Sequence, residues 1–141
     1  SPEDKLSFEQ RVMEVVNEHG IELVVLARYM QVMSPELCRA LTGRMVNIHH
    51  SFLPGFKGAQ PYRQAHERGV KLIGATAHFV TEDLDEGPII EQNVVRVDHS
   101  QSVDELVRVG QDEESRTLSR AVEWFSEHRI LLDGIRTIIF R

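Results

Sequence analysis

Ile21-Glu22-Leu23-Val24-Val25-Leu26, followed by Ser34-Pro35-Glu36 and, after Gly43, the stretch from Arg44 to His49, decide the fold class. The first run is short and mostly apolar, as a buried parallel strand is. Ser34 ahead of Pro35 reads as the cap and first turn of a helix that Gly43 stops. Arg44 to His49 returns to strand. A strand-helix-strand order with a connection long enough for a crossover predicts an α/β protein with an open, mainly parallel sheet and flanking helices.

On the N-terminal side, Ser7 with Gln10 reads as a capping box. Phe8, Val12, Val15 and Val16 then recur at helical spacing up to Gly20. On the C-terminal side, His50 to Gln60 is a Gly- and Pro-containing loop, and a helix runs from Pro61 to Gly69. Lys71 to Val80 is a strand, Thr81 to Pro88 an acidic loop, and Ile89 to Val97 another strand. Ser102 with Glu105 opens a long helix to about His128, with Leu118, Ala121, Val122 and Phe125 on one face and Trp124 as a packing anchor. Ile130 to Leu132 and Ile135 to Phe140 read as a hairpin on an Asp133-Gly134 turn. The first strand looks buried on both faces, so it is expected to have neighbours on both sides.

The chain has 141 residues, 41% hydrophobic and 27% charged, which suits one folded domain and excludes a disordered or collagen-like chain. A net charge of −6 without a basic tract makes nucleic acid and anionic membrane poor partners. The single cysteine, Cys38, excludes an internal disulfide and Cys-rich zinc modules, and is expected to be a buried, reduced thiol. No apolar run approaches the roughly 20 residues of a membrane helix, and Ser1 to Ser7 does not resemble a signal peptide. The expected setting is cytoplasmic.

Asn47 and His49 lie two apart on one strand and so share a face. Thr76 and His78 repeat that spacing on a later strand, and Asp83, Asp85 and Glu86 follow closely. Ligands of open α/β sheets bind beyond strand ends. A carboxylate orients an imidazole and raises its pKa, and an amide donates to an oxygen gaining charge. Asn47, His49 and Asp85 thus form a sensible set for attack on an acyl carbon without a covalent nucleophile, with His49 expected to be charged at neutral pH. The same residues also suit ordinary structural roles: a hydrogen-bonded strand-end histidine, an asparagine at a turn, an aspartate shaping a loop. A metal is not expected, because His49 and His50 point to opposite faces and no H-x-x-x-H or H-E-x-x-H spacing occurs.

The strings Asn47-Ile48-His49-His50-Ser51-Phe52-Leu53-Pro54, Gly74-Ala75-Thr76-Ala77-His78-Phe79-Val80 and Leu84-Asp85-Glu86-Gly87-Pro88 resemble the folate-dependent formyltransferase-fold enzymes. The resemblance implies catalytic roles for Asn47, His49 and Asp85: Asn47 and a protonated His49 stabilise the oxyanion, Asp85 orients the attacking water and His49, and His49 passes a proton to the departing nitrogen. It implies a folate pocket lined by Met30, Gln31, Val32 and Met33, by Thr76 and His78, and by Val80, Thr81 and Leu84 of a loop that closes over the pterin. Transferases of the family usually carry Pro where His50 stands, so His50 is added to the substrate-binding set. Together with the ending Gly134 to Phe140, it points to the hydrolytic branch, which splits 10-formyltetrahydrofolate into tetrahydrofolate and formate. The folate is then the substrate, and no separate cofactor is implied. Formyl transfer to an amine such as glycinamide ribonucleotide, or folate binding without turnover, are the alternatives. The resemblance further implies that residues 1–141 are the C-terminal portion of the catalytic domain, lacking N-terminal strands and an ACT-type regulatory domain, and that the protein is a homo-oligomer.

Overall fold

The computed structural model describes residues 1–27, 32–52, 55–56 and 58–140. Helix α1 spans Pro2–His19, strand β1 Val24–Ala27, α2 Pro35–Ala40, β2 Met45–Phe52, α3 Pro61–Arg68, β3 Leu72–Phe79, β4 Ile89–Arg96 and α4 Val103–Ser126. Strands β5 (Ile130–Asp133) and β6 (Arg136–Ile139) end the chain.

The main sheet has the order β1-β2-β3-β4. Only β1 and β2 are parallel; β2 with β3 and β3 with β4 are antiparallel. The mainly parallel sheet expected from the sequence is therefore corrected to a mixed one. The reason lies in the connections. The β1-α2-β2 unit is a true crossover, but residues 80–88 between β3 and β4 are too few for the dozen or more that a parallel return needs. Among the described residues, β1 pairs only with β2, and its outward Val25 is 40% exposed, so the expected second neighbour is not among them.

Side-chain alternation divides the sheet into two chemically different faces. Val46, Ile48, Ala75, Ala77, Phe79 and Ile90 pack with Ala121 and Trp124 of α4 into one core. Asn93 of β4 donates to the Thr117 hydroxyl at 2.9 Å, which in turn donates to the Glu113 carbonyl, so a buried polar pair is satisfied across the same contact. On the other face, Val16, Met33, Leu37, Cys38, Leu41 and Met45 form the core under α1 and α2. Burial there pushes the Cys38 thiol pKa up, as expected for an inert cysteine.

Two local readings shift. Helix α1 begins at Pro2 with a capping box from Ser1 and Asp4, six residues before the Ser7-Gln10 box, and Phe8 is 45% exposed. The hairpin loop is Gly134-Ile135, because Asp133 pairs with Arg136. Gly134 takes a positive φ of 64°, so the glycine falls at the first loop position. Elsewhere the caps act as read: Ser34 accepts from Leu37 N–H, and Ser102 forms its box with Glu105. One link had no local signal. Buried Glu9 of α1 accepts from Ser34 N–H at 3.1 Å and from its hydroxyl, tying α1 to the start of α2.

Gly110 lets α4 approach Tyr62 of α3: a Cβ at Gly110 would lie 2.0 Å from the Tyr62 hydroxyl. Gly110→Ala is expected to lower stability by about 1–3 kcal/mol through overpacking, outweighing a helix-propensity gain of up to ~1 kcal/mol. A fall in the urea midpoint at unchanged m-value checks this; an unchanged or raised midpoint contradicts it.

Candidate active site

The site is assembled by the antiparallel register of β2 and β3. Asn47 lies opposite His78, and His49 opposite Thr76. All four side chains therefore stand on the face away from α4. The β3-β4 register slips between Ala77 and His78, a bulge of the kind that re-aims side chains beside functional sites. Ser51, Thr76 and Gln92 link the three strands below: the Ser51 and Thr76 hydroxyls are 2.9 Å apart, and Gln92 donates to Thr76 at 3.0 Å.

Asp85 reaches this face from the 80–88 loop. Its Oδ1 lies 3.6 Å from His49 Nδ1 and 3.8 Å from His78 Nε2. Its backbone is left-handed at φ 59°, a conformation that Asp tolerates better than most residues and that costs on the order of 1–3 kcal/mol. The loop is pinned at its base. Phe79 N–H donates to the Pro88 carbonyl at 2.9 Å, and a Cβ on Gly87 would fall 1.7 Å from the Phe79 carbonyl oxygen. Only glycine permits that approach.

The orientation of each group is set by backbone contacts. Ile48 N–H donates to Asn47 Oδ1 at 2.9 Å, which makes the amide NH₂ the end that faces outward as a donor. His78 Nδ1 lies 2.8 Å from the Phe79 carbonyl, which can only accept, so Nδ1 is the donor and Nε2 is the ring nitrogen turned toward the site. The His49 and His78 rings meet edge to face with centroids 5.1 Å apart.

Burial of the His49 ring pushes its pKa below the ordinary imidazole value; Asp85 pulls it upward, while His78 and His50 add to the lowering. The expectation of a charged His49 at neutral pH is corrected accordingly: desolvation outweighs the carboxylate 3.6 Å away.

Two hollows meet at these residues. A cavity of about 630 Å³ is lined by His49, Ser51, Thr76, Asp85, Gln92 and, from the terminal hairpin, Arg136. Beside it, Val32, Met33, Val80, Thr81 and Leu84 surround Asn47, His78 and Asp85 around a cleft of only about 10 Å³. Of the site residues read from the sequence, Asn47, His49, Thr76, His78, Asp85, Val32, Met33, Val80, Thr81 and Leu84 thus come together. Met30 and Gln31 lie outside the described residues.

His50 does not join them. Strand alternation turns it to the α4 side, where Nδ1 lies 3.9 Å from Glu114 and its ring packs near Phe52 and Tyr62. Its placement in the substrate-binding set is corrected for that reason. Sequence reasoning missed Ser51, Gln92 and Arg136. Ser51 follows the same two-residue spacing as Asn47 and His49 and was legible by it. Gln92 and Arg136 depend on the sheet register and on hairpin docking, where Thr137 donates to the Ile89 carbonyl at 2.6 Å.

Comparison with known proteins bears on this site. Residues 2–122 match the formyl transferase family model. Formyltetrahydrofolate deformylase of Corynebacterium sp. (strain P-1) is 55% identical over 141 residues, all of this chain and 49% of that protein. That of Mycobacterium tuberculosis is 59% identical over 132 residues, 94% of this chain and 42% of that protein. The crystal structure of the Burkholderia mallei formyltetrahydrofolate deformylase superposes with a TM-score of 0.94 at 60% identity, covering 100% of this chain and 50% of that one. A glycinamide ribonucleotide transformylase from Symbiobacterium toebii matches at a TM-score of 0.81 and 40% identity, covering 95% of this chain and 63% of that one. The chain spans about half the length of the curated relatives it matches. With the family model covering most of its residues, and with a fold shared by solved members, the chain belongs to the formyl transferase family.

Proposed function

We propose that the protein hydrolyses 10-formyltetrahydrofolate to tetrahydrofolate and formate, with Asn47, His49 and Asp85 as its catalytic residues. The observation that carries this reading is that Asp85 lies 3.6 Å from His49 and lines both the cavity that His49 faces and the adjoining cleft that Asn47 faces, in a chain similar to formyltetrahydrofolate deformylases along its whole length.

In the proposed reaction, Asp85 accepts a hydrogen bond from the attacking water and so aims its oxygen at the formyl carbon. As the C–O bond forms, the carbonyl oxygen gains charge, and the Asn47 amide donates to it. His49, neutral before the reaction, takes up the proton that water releases and delivers it to N10 as the C–N bond breaks. A neutral imidazole suits this exchange better than one already charged, because it has a lone pair to receive the proton.

The pterin is assigned to the cleft lined by Val32, Met33, Val80, Thr81 and Leu84.

His49→Ala, Asn47→Ala and Asp85→Asn in the full-length protein are each expected to lower kcat about 100-fold or more with the fold retained. A folded His49→Ala variant with near-normal turnover removes His49 from the mechanism. Formate release is expected without any amine acceptor and to be unchanged by glycinamide ribonucleotide; acceptor-dependent transfer with negligible formate establishes the transferase alternative.

Because burial lowers the His49 pKa, its neutral form persists at pH 7, and protonation removes activity only as pH falls below the ordinary imidazole range. A kcat/KM profile whose acid limb lies above pH 7 contradicts that assignment. Gly87→Ala is expected to displace the loop that carries Asp85 and to lower turnover while Asn47 and His49 stay in place. A variant with wild-type kinetics shows that the tight approach to Phe79 does not position Asp85.

A further inference from the structure

His49 Nδ1 and His78 Nε2 are both buried and have no hydrogen-bond partner among the described residues, and His78 is only 2% exposed. Both nitrogens face the same Asp85 oxygen, at 3.6 and 3.8 Å, too far for a hydrogen bond. Two buried ring nitrogens left bare around a carboxylate are costly unless something satisfies them.

We propose that His49, His78 and Asp85 form a binding site for a divalent transition metal ion of the zinc class, and that its occupation blocks turnover. One donor atom from each residue lies within 4.8 Å of the others. A tetrahedral zinc with bonds of about 2.0–2.1 Å sets its ligand atoms roughly 3.3 Å apart. The closure required is therefore a few tenths of an ångström for the pairs involving Asp85 and at most about 1.5 Å between the two ring nitrogens, which side-chain rotation supplies.

The surroundings favour a cation. His78 donates a hydrogen bond from Nδ1 to the Phe79 carbonyl, which fixes Nε2 toward the site, the backing that metal-ligating histidines ordinarily have. Asp83 and Glu86 line the mouth of the same cavity. Arg136, the cation at that mouth, is held by Asp133 at 2.8 Å. Three protein ligands beside an open cavity leave a fourth position for water. The usual sequence spacings do not reveal such a site, because its ligands come from two antiparallel strands and a loop.

The blocking effect rests on the proposed catalytic roles of His49 and Asp85, since a metal occupying their donor atoms leaves neither free to handle a proton or a water. Metal binding itself does not rest on those roles, and this separates the two readouts.

The test uses the full-length protein, freed of metal by a chelator and titrated with Co²⁺, whose visible absorption reports a low-coordinate N/O site. One equivalent of Co²⁺ per chain is expected to give a saturable band that one equivalent of Zn²⁺ bleaches. His49→Ala, His78→Ala and Asp85→Asn are each expected to weaken binding by more than the ~10–100-fold that outer-shell changes cost, while exposed His99→Ala leaves it unchanged. His78→Gln replaces His78→Ala if circular dichroism shows the latter unfolded. No saturable band, or a band that survives loss of both histidines, overturns the site. Added Zn²⁺ is expected to stop formate release and excess chelator to restore it. Metal binding with undiminished turnover overturns the inhibitory role. Turnover lost to chelator and restored by Zn²⁺ overturns both that role and the metal-free mechanism.

Discussion

The antiparallel register of β2 against β3 is the constraint on which the site depends. Pairing Asn47 with His78 and His49 with Thr76 puts these four polar side chains on one face and leaves Val46, Ile48, Ala75 and Ala77 for the α4 core on the other. A slip of one residue would bury the histidines under α4 and turn the apolar residues into the cavity. Hydrophobic burial against Ala121 and Trp124 therefore fixes the catalytic face as well as the fold.

The same economy governs the loop that brings Asp85. Residues 80–88 are short, and their ends are joined by the Phe79–Pro88 hydrogen bond and by the close passage of Gly87 over the Phe79 carbonyl. Asp85 is thereby held in a left-handed conformation beside two histidines. The Phe79 carbonyl also orients His78, so one backbone group bears both on His78 and, through Gly87, on the loop that carries Asp85. Burial of His49 then decides its charge: removing the ring from water disfavours the imidazolium more than the partly exposed carboxylate favours it.

What the sequence revealed follows from the range of each signal. Helix starts at Pro35, Pro61 and Val103, and the strand pairing of Asn47 with His49 on one face, rest on neighbours within a few residues and were legible. Strand direction was not, because helical connections are compatible with both: α3 leads into an antiparallel β3 although a helix of similar length joins the parallel β1 and β2. His50 was placed by resemblance, from the Pro that transferases carry there, although strand parity already turned it away from His49. The convergence of His49, His78 and Asp85 was hidden by spacings of 29 and 7 residues that only the folded sheet closes. The charge of His49 required knowing its burial, which no local pattern encodes.

The central claim is that this face aims a water at a formyl carbon. A single turnover of 10-formyltetrahydrofolate by the full-length protein in ¹⁸O-labelled water tests it directly. The account predicts formate carrying one ¹⁸O atom. Formate without the label, or a formyl group recovered on an amine with no labelled formate, contradicts it.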